Sequence, residues 1–193
     1  MRNLCNLKYI IPGCLLLAMI GCATSSRTSQ DPGTAGFPAD ISSIAIDGEK
    51  VTALQKDLAA LNHHTDGAEA RRTAETALKA SAFLTEEYRL VRPPLLHNLF
   101  VQMGLRDRGL CYQWTEDLMS HLTALQLKSY QLRWGVAHRG SDLREHNTVV
   151  ISANGQPFEH GLVLDPWRHS GKLYWVIVKD DSYPWKELPR EEW

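Results

Sequence analysis

The apolar periodicity of this chain changes once, near Leu127, and that change limits the folds open to it. Before it, apolar residues recur every three or four positions, as they do on amphipathic helices. Val51, Leu54, Leu58 and Leu61 form a first stripe, broken by His63-His64-Thr65-Asp66-Gly67. A second helix is predicted from about Ala68 to Tyr88, with Ala70, Ala74, Ala77, Leu78 and Ser81 on one side; alanine there points to close helix packing. Arg92-Pro93-Pro94 ends it and starts the next, since proline fits a first helical turn. Leu95, Leu96, Leu99, Phe100 and Met103 carry a third stripe. Trp114, Leu118, Leu122 and Leu125 line the buried side of a fourth helix, from about Cys111 to Leu127. Beyond Leu127 the pattern is that of strands: Tyr130 to Ala137, Asn147 to Ser152, Gly161 to Leu164 and Lys172 to Val178. Helices first and a meander of strands later predict a single α+β domain over residues 48–193, helical in 48–127 and sheet in 128–193. They argue against a parallel βαβ sheet.

The N-terminus sets the expected compartment. Arg2 and Lys8 precede an apolar run that is too short to span a bilayer and reads as a signal-peptide core. Its end, Leu17-Ala18-Met19-Ile20-Gly21-Cys22, resembles a bacterial lipobox. The resemblance implies cleavage after a 1–21 signal peptide and a Cys22 carrying palmitate-type acyl chains, which hold the protein stably on a membrane. Residues 22–47 are then the lipidated cysteine and a flexible tether, rich in Ser, Thr, Gly, Pro and Asp. Ala23, where no Asp stands, resembles lipoproteins sent on to the outer membrane, which implies, for a Gram-negative cell, an anchor in that membrane facing the periplasm. No second hydrophobic span follows. The formal net charge is −1 with no basic run, so nothing points to nucleic acid.

Cysteine usage narrows the chemistry. Cys5 and Cys14 leave with the leader and Cys22 is acylated, so Cys111 remains without an intramolecular partner. In an oxidising envelope a lone thiol is a liability, to be buried or used. Cys111 lies in Gly109-Leu110-Cys111-Tyr112-Gln113-Trp114 at the start of a predicted helix, His146 opens a strand, and Asp165 closes a later one. Taken singly each is ordinary: a small buried hydrophobe, a satisfied polar residue, a turn former. Together, in that order, they have the layout of a cysteine hydrolase or acyltransferase. The thiolate is the nucleophile, and a helix N-terminus and a neighbouring imidazole both favour it. His146 is the candidate base and Asp165 the residue that orients it. An oxyanion donor is also needed. The Cys111 backbone N–H is one candidate, and Gln113, Trp114 and Trp134 are others between which the sequence does not choose.

These segments resemble the transglutaminase-like branch of the papain-like cysteine hydrolase superfamily. Leu164-Asp165-Pro166-Trp167 is similar to the Asp-Pro element that carries the third residue there, and Gly109 to Trp114 is similar to the nucleophile segment. The resemblance covers roughly Gly104 to Val178. It implies a papain/transglutaminase-like core, a nucleophile helix packed on an antiparallel sheet, with the helices from Val51 to Met103 as an addition. It also implies a Cys111, His146, Asp165 triad. The group includes peptidases, amidases, transglutaminases and inactive members, so the reaction stays open.

The functional expectation is a lipid-anchored thiol amidase, peptidase or acyltransferase acting through a thioester on a peptide-type or peptidoglycan-type amide. The alternative is a non-catalytic binding or assembly lipoprotein that keeps the fold and uses its Trp-rich strands for a protein partner. A redox role lacks a resolving cysteine. No cofactor is expected, and no metal, since His138, His160 and His169 flank turns and lack ligand spacing, and His63-His64 reads as a solvated helix end stabilised by the dipole. Arg133, Arg139 and Arg144 either bind a substrate carboxylate or face outward from strands.

Overall fold

The computed structural model describes residues 40–141 and 143–193. The predicted leader, the acylated Cys22 and the tether up to residue 39 lie outside them.

Four helices precede five strands: α1 (Gly48–Ala59), α2 (Gly67–Glu87), α3 (Pro94–Gln102), α4 (Cys111–Thr123), β1 (Tyr130–Ala137), β2 (His146–Ala153), β3 (Leu162–Asp165), β4 (Tyr174–Ile177) and β5 (Trp185–Leu188). The fold is α+β, as the change of periodicity predicts. No described helix is long and apolar enough to cross a membrane.

Aspartates start the first two helices. The Asp47 carboxylate accepts the Glu49 N–H and that of Asp66 accepts the Glu69 N–H, satisfying donors with no carbonyl partner in the first turn. Val51, Leu54 and Leu58 of α1 pack on Ala70, Ala74 and Ala77 of α2, whose small side chains admit a close approach. Residues 40–47, assigned to the tether from sequence, take part in this packing: Ile41 and Ile46 lie against the core, and the Lys79 ammonium donates to the Ser42 carbonyl at 2.7 Å. The start of α2 is tied to the sheet by Glu69, which is 6% exposed and accepts the Lys128 N–H at 2.7 Å and the Ser129 N–H at 2.8 Å. Burial would raise its carboxyl pKa, but the Ser129 hydroxyl and these two N–H groups outweigh it and hold the pKa below the usual value.

The strands are all antiparallel, in the order β4-β3-β2-β1-β5. Val149 opposes Leu164 and Ile151 opposes Leu162, and this face packs on α1, α2 and α4. Val150 opposes Val163 on the other face, where Ala137, Phe158, Val178 and Trp185 form a second apolar cluster. Alternation along β2 therefore puts Asn147 on the helix-covered face and His146 on the other.

Two elements depart from the sequence reading. The third stripe is not a core stripe: Leu95, Leu99 and Met103 are 67%, 47% and 61% exposed, and Leu96 is 36% exposed. The buried residue of α3 is His97, at 0% exposure, because both ring nitrogens find backbone partners. The strand β5 is the second departure, since no strand is predicted there. Trp185 to Leu188 pairs with Trp134 to Ala137, so the C-terminal segment returns to the sheet and flanks β1.

Candidate active site

Cys111 is the first residue of α4, and its approach is fixed from several sides. Leu110 precedes the helix and has no side-chain acceptor to cap it. Gln113 makes the reciprocal half of a capping box, its amide oxygen reaching back to receive the Gly109 and Leu110 N–H groups at 2.8 and 3.0 Å. The Trp114 indole N–H donates to the Gly109 carbonyl at 3.1 Å. Arg108 clamps the loop to α4 through Asp117, at 2.9 and 3.2 Å. His97 completes the frame. Its Nδ1 accepts the Val91 N–H at 3.2 Å, which leaves the proton on Nε2, and Nε2 donates to the Arg108 carbonyl at 2.9 Å. The His97 ring lies where a Gly109 side chain would be. A Cβ there would sit 2.1 Å from Nε2, and the Gly109 φ of +126° is one that residues with a side chain rarely adopt.

The Cys111 sulfur contacts strand β2. It lies 3.9 Å from the Glu145 carbonyl oxygen and 3.9 Å from Asn147 Nδ2, in a residue that is 7% exposed. It also lies beside the His146 imidazole closely enough to favour the charged ring. His146 is 2% exposed and is surrounded by the rings of Trp167, Tyr183 and Trp185, with centroids at 4.6, 5.3 and 5.4 Å. Its Nε2 meets Asp165 Oδ2 at 2.7 Å. Its Nδ1 is buried and has no hydrogen-bond partner. With Nε2 committed to the carboxylate, Nδ1 is the nitrogen left to exchange a proton with the thiol. Burial opposes a charge on the ring, but the Asp165 carboxylate and the Cys111 sulfur outweigh it and raise the His146 pKa to about 9.

Asp165 closes β3 on the same face as Val163, and thus on the His146 side of the sheet. Burial would raise its pKa; the imidazole and Arg168 lower it instead. Arg168 donates its backbone N–H and its Nε to the carboxylate, both at 3.0 Å. Its two terminal nitrogens bind Asp181 side by side at 2.9 and 2.7 Å, and its guanidinium sits over Tyr174 and Tyr183 at 4.4 and 4.5 Å from the ring centroids. Asp181 in turn accepts the Trp185 indole N–H at 2.7 Å. Burial acts to raise the Asp181 pKa, but the Arg168 and Trp185 donors hold it down at about 2. A chain of partners thus runs from the sulfur through His146, Asp165, Arg168 and Asp181 to Trp185. An imidazole held between a carboxylate and a thiol can take the thiol proton and keep the resulting charge.

The structure therefore brings Cys111, His146 and Asp165 together. The other sequence candidates are placed differently. The Gln113 amide oxygen accepts from Gly109 and Leu110, which leaves its Nε2 as the end that could donate; the Trp114 N–H is bound to the Gly109 carbonyl, and the Trp134 indole N–H donates to Asn147 Oδ1 at 2.8 Å. Asn147 and Arg168 are contacts of the site that sequence reasoning does not single out. The signal for Arg168 is its place three residues after the acid; for Asn147 it is only its place beside His146. Arg133 is paired with Glu187 and Ser152, and Arg139 with Glu192. Among the described residues no three His, Cys, Asp or Glu side chains are grouped as a metal site requires. The chain was compared with models of protein families, with curated proteins and with solved structures, and none matched.

Proposed function

We propose that this protein is an envelope lipoprotein with a thiol amidase, peptidase or acyltransferase site, built on a papain/transglutaminase-like core. The observation that carries the proposal is the buried, unpartnered Nδ1 of His146, beside the sulfur of a cysteine at a helix N-terminus, in a ring whose Nε2 is held by Asp165. His146 takes the Cys111 proton, and the thiolate adds to an amide carbonyl carbon. A C–S bond forms and the carbonyl pair moves to oxygen. Collapse of that oxyanion breaks the C–N bond, and the imidazolium gives its proton to the leaving amine, leaving a thioester. Water, or a second amine, deprotonated by His146, then adds to the thioester. The C–S bond breaks and the proton returns to the thiolate–imidazole pair. Asp165 holds the ring orientation throughout and stabilises its charge. The predicted lipobox puts this chemistry at the envelope, where peptide and peptidoglycan-type amides are the substrates at hand.

One observation favours the alternative, a non-catalytic binding or assembly lipoprotein: Cys111 and His146 are only 7% and 2% exposed. The rate of iodoacetamide alkylation against pH, with the modified residue located by peptide mass, separates the two. The thiol enzyme is labelled at Cys111 well below the free-thiol pKa of about 8.5, and loses that labelling in His146→Ala. Labelling that follows the free-thiol value, or requires unfolding, removes the nucleophile and leaves the scaffold.

A further inference from the structure

No side-chain donor for the oxyanion has yet been assigned at this site. The tryptophans named by sequence are spent, since the Trp114 indole N–H is bound to Gly109 and that of Trp134 to Asn147. Resting on the thiol-enzyme reading, we infer that the side-chain amide of Asn147, together with the Cys111 backbone N–H, binds the oxyanion formed when the thiolate adds to an acyl carbonyl. Trp134 is the positioning residue that turns this amide toward the sulfur.

Sheet register and hydrogen-bond chemistry both lead to this assignment. Trp134 opposes Val149 across the β1–β2 pair, so its indole lies on the helix-covered face, diagonal to Asn147. An indole N–H is a donor only. It therefore fixes which end of the Asn147 amide faces it: Oδ1, at 2.8 Å. The other end, Nδ2, is directed at Cys111 Sγ, at 3.9 Å. An amide nitrogen aimed at a nucleophilic sulfur is near the place where the oxygen of the attacked carbonyl develops its charge. The Cys111 N–H belongs to the first turn of α4, whose N–H groups have no intrahelical carbonyl, and it points the same way as the helix dipole. His146, which moves the proton, approaches from the other face of β2. Proton transfer and oxyanion binding are thus assigned to neighbouring residues of one strand with opposite orientations. Asn147 is half-buried, which leaves its amide within reach of a substrate.

Two reagents that attack the same sulfur test this in the full chain. Alkylation by iodoacetamide displaces iodide at a saturated carbon and forms no oxyanion. Acylation by p-nitrophenyl acetate passes through one: the thiolate adds to the ester carbon, the oxyanion collapses, and p-nitrophenolate leaves. Asn147→Ala should lower the acylation rate at saturating ester by about 10²-fold, and the alkylation rate by a much smaller factor, that of losing the long Nδ2–Sγ contact. Trp134→Phe, which deletes the N–H and keeps an aromatic ring, should lower acylation by a smaller factor. The double variant should fall no further than Asn147→Ala. Unchanged acylation in Asn147→Ala, alkylation falling in step with acylation, or additive losses in the double variant each overturn the inference. So does a parent that is alkylated at low pH but not acylated. A parent that takes neither reagent below the free-thiol range overturns the reading of the site itself, and the inference with it.

Discussion

Gly109→Ala probes the support of Cys111 without touching a reacting group. The new Cβ would sit 2.1 Å from His97 Nε2 and 2.5 Å from Cδ2, so the buried ring must move. Moving it breaks two hydrogen bonds, from the Val91 N–H and to the Arg108 carbonyl. A buried polar group left unpaired costs roughly 1–3 kcal/mol. Holding a residue with a side chain at the Gly109 φ of +126° adds about 1–3 kcal/mol of backbone strain. The expected loss is about 3–5 kcal/mol, or about 10 °C in Tm for a domain of this size. Equilibrium denaturation followed by circular dichroism measures it, and His97→Ala supplies the control. With the ring gone the clash is gone, and Gly109→Ala should then cost only the backbone strain, about 1–3 kcal/mol. Equal costs in the two backgrounds, or a loss under about 1 kcal/mol in the parent, would refute the claim that the ring requires a glycine here.

Two further predictions concern charge. The His146 pKa is raised from 6.5 to about 9, so its contribution to stability is complete below pH 6.5 and is lost as pH rises through 9. In Cys111→Ala, where no thiol titrates in the same range, the unfolding free energy should fall across that window, a slope that disappears when His146→Gln is added; a flat profile in Cys111→Ala contradicts the buried His146–Asp165 ion pair. Arg168→Lys keeps the charge but cannot bridge Asp165 and Asp181 with the same planar geometry. It should cost about 2–4 kcal/mol in denaturant titration and lower the alkylation rate of Cys111, whereas a silent substitution would reduce Arg168 to a surface ion pair.

The fold class is legible because hydrophobic period reports element type directly, and all four helices follow their stripes or their proline. The third stripe shows where that signal stops. Leu95, Leu99 and Met103 have helical spacing, but spacing says only that a face is apolar, not that another element covers it. α3 is held by His97 and by Asn98, whose side chain accepts the Trp167 indole N–H at 3.1 Å. Such polar contacts leave no periodic trace. The strand β5 escapes a sequence reading because Trp185-Lys186-Glu187-Leu188 is short and half polar; it is a strand because β1 offers it a free edge. At the site, Cys111, His146 and Asp165 can be named because few residue types do such chemistry. Asn147 and Arg168 cannot, since their roles come from sheet register and from a turn that folds back on its own carboxylate.

The order β4-β3-β2-β1-β5 has a consequence for biosynthesis. The thiol is translated first, its imidazole and carboxylate partners later, and the strand that brings Trp185 against the imidazole last of all. A chain emerging from its N-terminus passes through a long interval in which Cys111 exists without the surroundings that would polarise it. The surroundings of Cys111 are thereby finished only when β5 has been made, and a chain cut short before β5 has a His146 without the Trp185 ring beside it.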